Sequence, residues 1–207
     1  GNDIQSGDDC VPIGGETTAS LVAEPDAIRY VTLAGNTFDS TRGFAVRAYV
    51  LAGQTGTGWE VTNIIVDDCC GTAGAQRNGG IGVQDLNAGS AGAQIRNVTV
   101  NGVDLEVGST THDEVNAYGL WLQSAKNVTV HGRFKLTDKT SAATGFKLVH
   151  GRDSDDVTLS VQCDTLQRNL GVDIDNCLRW RIVNSRRRQP SVSTTNTIKA
   201  ADSALRV

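Results

Sequence analysis

Asn97-Val98-Thr99-Val100-Asn101-Gly102-Val103-Asp104-Leu105-Glu106-Val107 is the stretch on which the fold turns. Apolar and polar side chains alternate in each half with period two, the pattern of a strand with one buried face. The β-branched residues that strands prefer dominate it. Further along, Asn127-Val128-Thr129-Val130 repeats its first half and Arg133-Phe134-Lys135-Leu136 its second. Tyr30-Val31-Thr32-Leu33, Asn63-Ile64-Ile65-Val66, Asp156-Val157-Thr158-Leu159 and Arg179-Trp180-Arg181-Ile182 are further copies.

Between these copies runs another short pattern, a small residue followed by in-out-in. It reads Cys10-Val11-Pro12-Ile13, Gly43-Phe44-Ala45-Val46, Gly80-Ile81-Gly82-Val83, Gly119-Leu120-Trp121-Leu122, Gly145-Phe146-Lys147-Leu148, Gly171-Val172-Asp173-Ile174 and Ala204-Leu205-Arg206-Val207. The small residues are 33, 37, 39, 26, 26 and 33 apart. No strand of this length buries its face alone, but stacked copies build a continuous core. The connections are too long for hairpins and fit parallel pairing through a full coil. The expected architecture is all-β, a single-stranded parallel β-helix (solenoid) of about seven coils.

Stacking the copies predicts two inward ladders. One runs Val11, Phe44, Ile81, Leu120, Phe146, Val172, Leu205; the other runs Ile13, Val46, Val83, Leu122, Leu148, Ile174, Val207. Asn63, Asn97 and Asn127 share one slot, which reads as an internal amide ladder at a turn. Asn97-Val98-Thr99 and Asn127-Val128-Thr129 are also formal glycosylation sequons, a competing reading. Residues 14–27, 52–58, 71–79, 108–117 and 185–202 read as turns and loops, where a rigid solenoid tends to carry function.

The totals exclude several classes. The 207 residues carry a net charge of −4, so a basic field for nucleic acid is absent. No run of 18 apolar residues exists, so no membrane-spanning helix is expected. Cys10, Cys69, Cys70, Cys163 and Cys177 lack zinc spacing, and no metal or cofactor is expected. They read as buried small hydrophobes, with a Cys163–Cys177 or Cys69–Cys70 disulfide as the alternative. Both ends read as repeating structure without a polar cap. Residues 1–207 are therefore expected to be one β-helix domain, a fragment of a longer chain whose ends meet other domains or subunits.

Two features suggest chemistry. The predicted outward columns are Pro12, Ala45, Gly82, Trp121, Lys147, Asp173, Arg206, and Gly14, Arg47, Gln84, Gln123, Val149, Asp175. Amides and charges can fork onto sugar hydroxyls while the Trp ring stacks on a pyranose face; a solvated sheet face is the bland reading. Asp8 and Asp9 stand side by side before the first strand. Paired carboxylates in distinct environments suit acid and base roles in glycoside hydrolysis. An Asp-rich turn, or a calcium contact, is the alternative.

Gly7-Asp8-Asp9-Cys10-Val11-Pro12-Ile13 resembles the signature of polygalacturonases and related pectin-lyase-like glycosidases. The resemblance implies a right-handed parallel β-helix, with Asp8 and Asp9 as general acid and part of the base that activates water. The chain departs from the pattern. Thr41-Arg42-Gly43 stands where that family has Gly-His-Gly, and Gly82 and Gln84 stand where it has Arg and Lys. A similar strand occurs in phage tailspikes, homotrimers that bind and cut surface polysaccharides.

The expected function is therefore a polysaccharide-binding and polysaccharide-cleaving β-helix, extracellular or virion-associated. Its catalytic residues would be Asp8 and Asp9. Its substrate contacts would be Arg42, Arg47, Gln84, Trp121, Gln123, Lys147, Asp173 and Asp175. The alternative is a non-catalytic structural or glycan-binding β-helix of a virion or cell surface. A lyase using Lys147 or Arg206 to neutralise a uronate is a third option.

Overall fold

The computed structural model describes residues 1–15, 27–50, 60–74, 79–86, 95–108, 118–136, 147–165, 171–182, 187–188 and 205–206. Among the described residues there is no helix. The strands are β1 (Asp3–Ser6), β2 (Val11–Gly15), β3 (Ala27–Ala34), β4 (Thr37–Ser40), β5 (Val46–Val50) and β6 (Glu60–Asp67). They continue with β7 (Cys70–Ala73), β8 (Gly79–Asp85), β9 (Ile95–Val107), β10 (Tyr118–Gln123), β11 (Ala125–Leu136) and β12 (Lys147–Arg152). The last are β13 (Asp155–Thr165), β14 (Gly171–Asp175), β15 (Leu178–Ile182), β16 (Arg187–Arg188) and β17 (Leu205–Arg206).

All pairings are parallel, and they form two sheets. A six-stranded sheet runs β14-β12-β10-β8-β5-β2, and the other eleven strands form the second sheet. The chain passes from one sheet to the other and back, which makes a parallel β-solenoid. The described strands make about three turns, not the seven expected. Only β9, β11 and β13 run unbroken across the bend in the eleven-stranded sheet; short, separate strands carry the flanking coils.

The core lies between the sheets. In the eleven-stranded sheet the ladder Val31, Ile64, Val98, Val128, Val157, Trp180 points inward, as the repeats predict. From Ile64 onward it is at most 2% exposed. Each such burial contributes about 1.5–3 kcal/mol.

The six-stranded sheet departs from expectation in register. Val11, Val46, Ile81, Leu120, Val149 and Val172 are in line, and so are Ile13, Ala48, Val83, Leu122, Gly151 and Ile174. Val46 thus joins Ile81 rather than Val83. The chain bends between Thr41 and Ala45, so strand alternation does not extend back to Phe44. Phe44 lies outside the main core, over Gly82, where an added Cβ would come within 2.9 Å of its ring. In β12 an irregularity between Lys147 and Val149 shifts the phase. Val149, expected outside, is fully buried in the core, and His150 takes the position opposite Trp121 expected of Lys147. Leu205 pairs with Trp180 in the eleven-stranded sheet and not with Val172, so the expected seventh rung is absent.

Gly151 interrupts its ladder because the opposite sheet fills the space. A Cβ there would lie 2.4 Å from the Trp180 ring. The Trp180 Nε1 donates to the Ser154 carbonyl at 2.7 Å, satisfying a polar atom that burial would otherwise leave unpaired.

The corners have their own code. Tyr30, Asn63, Asn97, Asn127, Asp156 and Arg179 all have φ between 55° and 60°. Asn and Asp tolerate this left-handed conformation better than most residues. Asn97 donates to the Asn63 carbonyl oxygen at 3.1 Å, and Asn127 to that of Asn97 at 2.8 Å. The ladder exists, but it is exposed rather than internal. Cys10, Cys69, Cys70 and Cys177 are free thiols, so neither suggested disulfide forms. Most of the expected loops lie outside the described residues; within 71–79, β7 is a strand.

Candidate functional site

Asp8 and Asp9 occupy the turn between β1 and β2. Two hydroxyls tie this turn to the next coil: Ser40 Oγ donates to the Asp8 carbonyl at 2.7 Å, and Thr41 Oγ1 to the Gly7 carbonyl at 3.3 Å. The Asp8 backbone N–H donates to Ser6 Oγ, and Asp8 itself is exposed. Asp9 is held differently. Its Oδ1 accepts the Phe44 backbone N–H at 2.7 Å, and its Oδ2 lies 3.5 Å from Arg47 Nη1. Gly43 gives it room, since a Cβ there would stand 2.3 Å from Oδ1. The Asp9 side chain is only 13% exposed. Next to it, burial pushes the Cys10 thiol above its ordinary pKa.

Arg47 extends this turn onto the sheet. Its Nε donates to Gln84 Oε1 at 2.8 Å. Its guanidinium carbon lies 4.7 Å from the Tyr49 ring centre and 5.6 Å from that of Phe44, both within cation–π range. Phe44 in turn lies 6.4 Å from Trp121. Trp121 packs against Tyr118 at 5.0 Å and His150 at 5.7 Å, and Tyr118 stacks on His150 at 4.8 Å. The Trp121 Nε1 has no hydrogen-bond partner among the described residues.

Among the described side chains the outward columns of the sheet are therefore Pro12, Arg47, Gly82, Trp121, His150, and Gly14, Tyr49, Gln84, Gln123, Arg152, Asp175. Asp9, Arg47 and Gln84 come together in one network, and Phe44 links it to Trp121. Gln123 is half-buried one strand beyond Gln84. Asp175 lies toward the β14 edge, 3.7 Å from Arg152. Arg42 is exposed on the turn before β5. The backbones of Lys147 and Asp173 lie opposite Tyr118 and His150, while their side chains lie outside the described residues.

Sequence reasoning missed Phe44, Tyr49, Tyr118, His150 and Arg152. Their signal was present: an aromatic residue or His occurs in or beside the copies of the small-residue pattern at β5, β10 and β12. Errors in register of two residues at β5 and three at β12 hid it. Among the described residues no group of three or more His, Cys, Asp or Glu could hold a metal ion, and no helix is long and apolar enough to cross a membrane.

The fold and this face define a parallel β-solenoid with a half-buried Trp121 on one sheet's outer side, backed by buried aromatic rings. Comparison with protein-family models, curated proteins and solved structures finds no match to this chain.

Proposed function

We propose that the chain is a polysaccharide-binding β-solenoid whose glycan lies along the outer face of the six-stranded sheet. The supporting observation is the half-buried Trp121 on the outside of a sheet whose interior is already filled, backed by the buried rings of Phe44, Tyr118 and His150. An aromatic ring offers a flat apolar surface with a polar edge, which suits a sugar ring bearing hydroxyls. Gln123 and the exposed Asp8 supply hydrogen-bonding groups on either side. The finer kinship belongs to the same reading: a right-handed, pectin-lyase-like helix, extracellular or on a virion, as a homotrimer or beside other domains.

The test is equilibrium binding of the full chain to a panel of polysaccharides. Trp121→Ala should weaken binding tenfold or more, a loss of about 1.4 kcal/mol. The reading fails if the folded chain binds none of them.

Hydrolysis is the second reading, favoured by one observation: Asp8 is exposed beside Asp9 and has no ion pair among the described residues. Asp8 would act as the acid and Asp9 as part of the base. Because Asp9 holds the Phe44 N–H and Arg47, it already has a structural role, and binding without cleavage remains the primary reading. Reducing-end release that Asp8→Asn lowers by about 100-fold or more would establish catalysis. No release from any polysaccharide that binds would rule it out.

A further inference from the structure

We infer that His150 is a positioning residue for Trp121: its uncharged ring holds the indole in place on the sheet, and a proton on that ring loosens it. This rests on the glycan-binding reading above and concerns the regulation of the same site by pH.

Three rings back the half-buried Trp121: Phe44 at 6.4 Å, Tyr118 at 5.0 Å and His150 at 5.7 Å. His150 stands opposite Trp121 because of the irregularity between Lys147 and Val149. It is buried, stacked on Tyr118 at 4.8 Å and edge-on to the indole. Of the three rings, only the imidazole can take up a proton near neutral pH.

Its bonding fixes its charge state. Arg152 Nε donates to His150 Nε2 at 3.2 Å, so that nitrogen carries a lone pair and the ring is neutral. Protonation would turn this acceptor into a donor, set two cations side by side and charge a buried ring. A cation–π contact with Tyr118 or Trp121 would return less than the like charge at hydrogen-bond distance takes away. The other charged groups at hand lie on β14 and at the start of β12. Asp175 faces the Arg152 guanidinium at 3.7 Å. The backbone of Asp173 lies opposite His150 and that of Lys147 opposite Tyr118, with both side chains outside the described residues. Turning the charged imidazole away from Arg152, or letting water reach it, loosens the packing behind the indole. A sugar stacked on Trp121 then loses its platform.

The experiment follows Trp121 and glycan binding together from about pH 8 to about pH 5, above the range in which aspartates ordinarily titrate. The full chain is labelled with 5-fluorotryptophan, and the fluorine resonance of Trp121 is the one that Trp121→Phe removes. Its shift should share a midpoint with the ring proton resonance of His150. The polysaccharide probe is whichever of a soluble β-glucan, a galactan and polygalacturonate binds most tightly at the alkaline end. Its binding should weaken at least about tenfold on acidification. His150→Phe keeps a ring without a titrating nitrogen, so its binding should not change with pH and should exceed that of His150→Ala at the alkaline end. Arg152→Met removes the neighbouring cation and should move the midpoint to higher pH, by about half a unit or more. A Trp121 resonance indifferent to pH would overturn the inference and leave the glycan reading standing. So would wild-type binding that is equal at both ends of the range, or a pH profile that His150→Phe keeps. Binding to no polysaccharide at any pH sinks the reading on which the inference rests.

Discussion

On the eleven-stranded sheet the outward side chains repeat from coil to coil. Asn63, Asn97 and Asn127 form one exposed column, and Thr99 and Thr129 stand together in the next. Exposed ion pairs join neighbouring coils, such as Glu60 with Arg29 and Arg96, or Glu106 with Lys135. On the six-stranded sheet the described outward column changes at every step: Pro12, Arg47, Gly82, Trp121 and His150. The interiors of the two sheets are alike, but the exteriors are not. Like stacked on like is the cheapest way to build a solenoid. Stacking like on like does not explain a surface that abandons the repeat, which supports the proposal of a ligand on the six-stranded exterior.

This comparison can be broken from its shared side first. Val98 is 2% exposed in the middle of the inward ladder. Val98→Asp should cost several kcal/mol, the lost burial plus an unpaired charge, and lower the melting temperature by roughly 10 °C or more. An unchanged melting curve would refute the ladder.

Gly151 tests the facing sheet. Gly151→Val drives its side chain into Trp180 and should cost about 3 kcal/mol, seen as a lower urea midpoint. If the interiors were not shared, the substitution would fill space and stabilise.

The corner between the sheets is sharpened by pH. Cys177 is fully buried and its Sγ donates to the Asp175 carbonyl. Burial pushes its thiol from the ordinary 9.0 up to about 11. The folded state therefore favours the neutral thiol. The resulting stability is intact below pH ~9 and falls away as pH rises through about 11, by about 2 kcal/mol in all. Cys177→Ala should flatten that alkaline limb in denaturation curves taken from pH 8 to 11.

The smallest effect belongs to the repeating exterior. Asn97→Ala loses two ladder bonds and places alanine at φ 57°, which should cost about 1–2 kcal/mol. Asn97→Gly loses the same bonds without the strain, so it should recover about half of the loss in melting temperature. Equal losses would assign the whole effect to the amides.

Much of this was legible before any coordinates. The period-two copies from Tyr30 to Ile182 predict parallel stacking, and Val98 on Val128 on Val157 is what forms. The shared Asn slot predicts an internal amide ladder; a ladder forms, but on the exposed side of the corner. What failed were extrapolations across irregular backbone. Phe44 follows a bend and Val149 an irregularity, and each such break reverses which side chains face inward. The candidate site suffered most, because it lies at those breaks.

The sequence by itself determined the solenoid. Short alternating strands have no way to bury their faces except on copies of themselves, and that demand can be read from the spacing of valines. Only the tertiary structure decided which coil sits on which residue. It was this that brought Asp9 to Arg47, Arg47 to Phe44, and Phe44 to Trp121. Register is set by where the backbone bends. A bend is a balance among a glycine, a carboxylate and a neighbouring coil, and no single stretch of the chain contains all three.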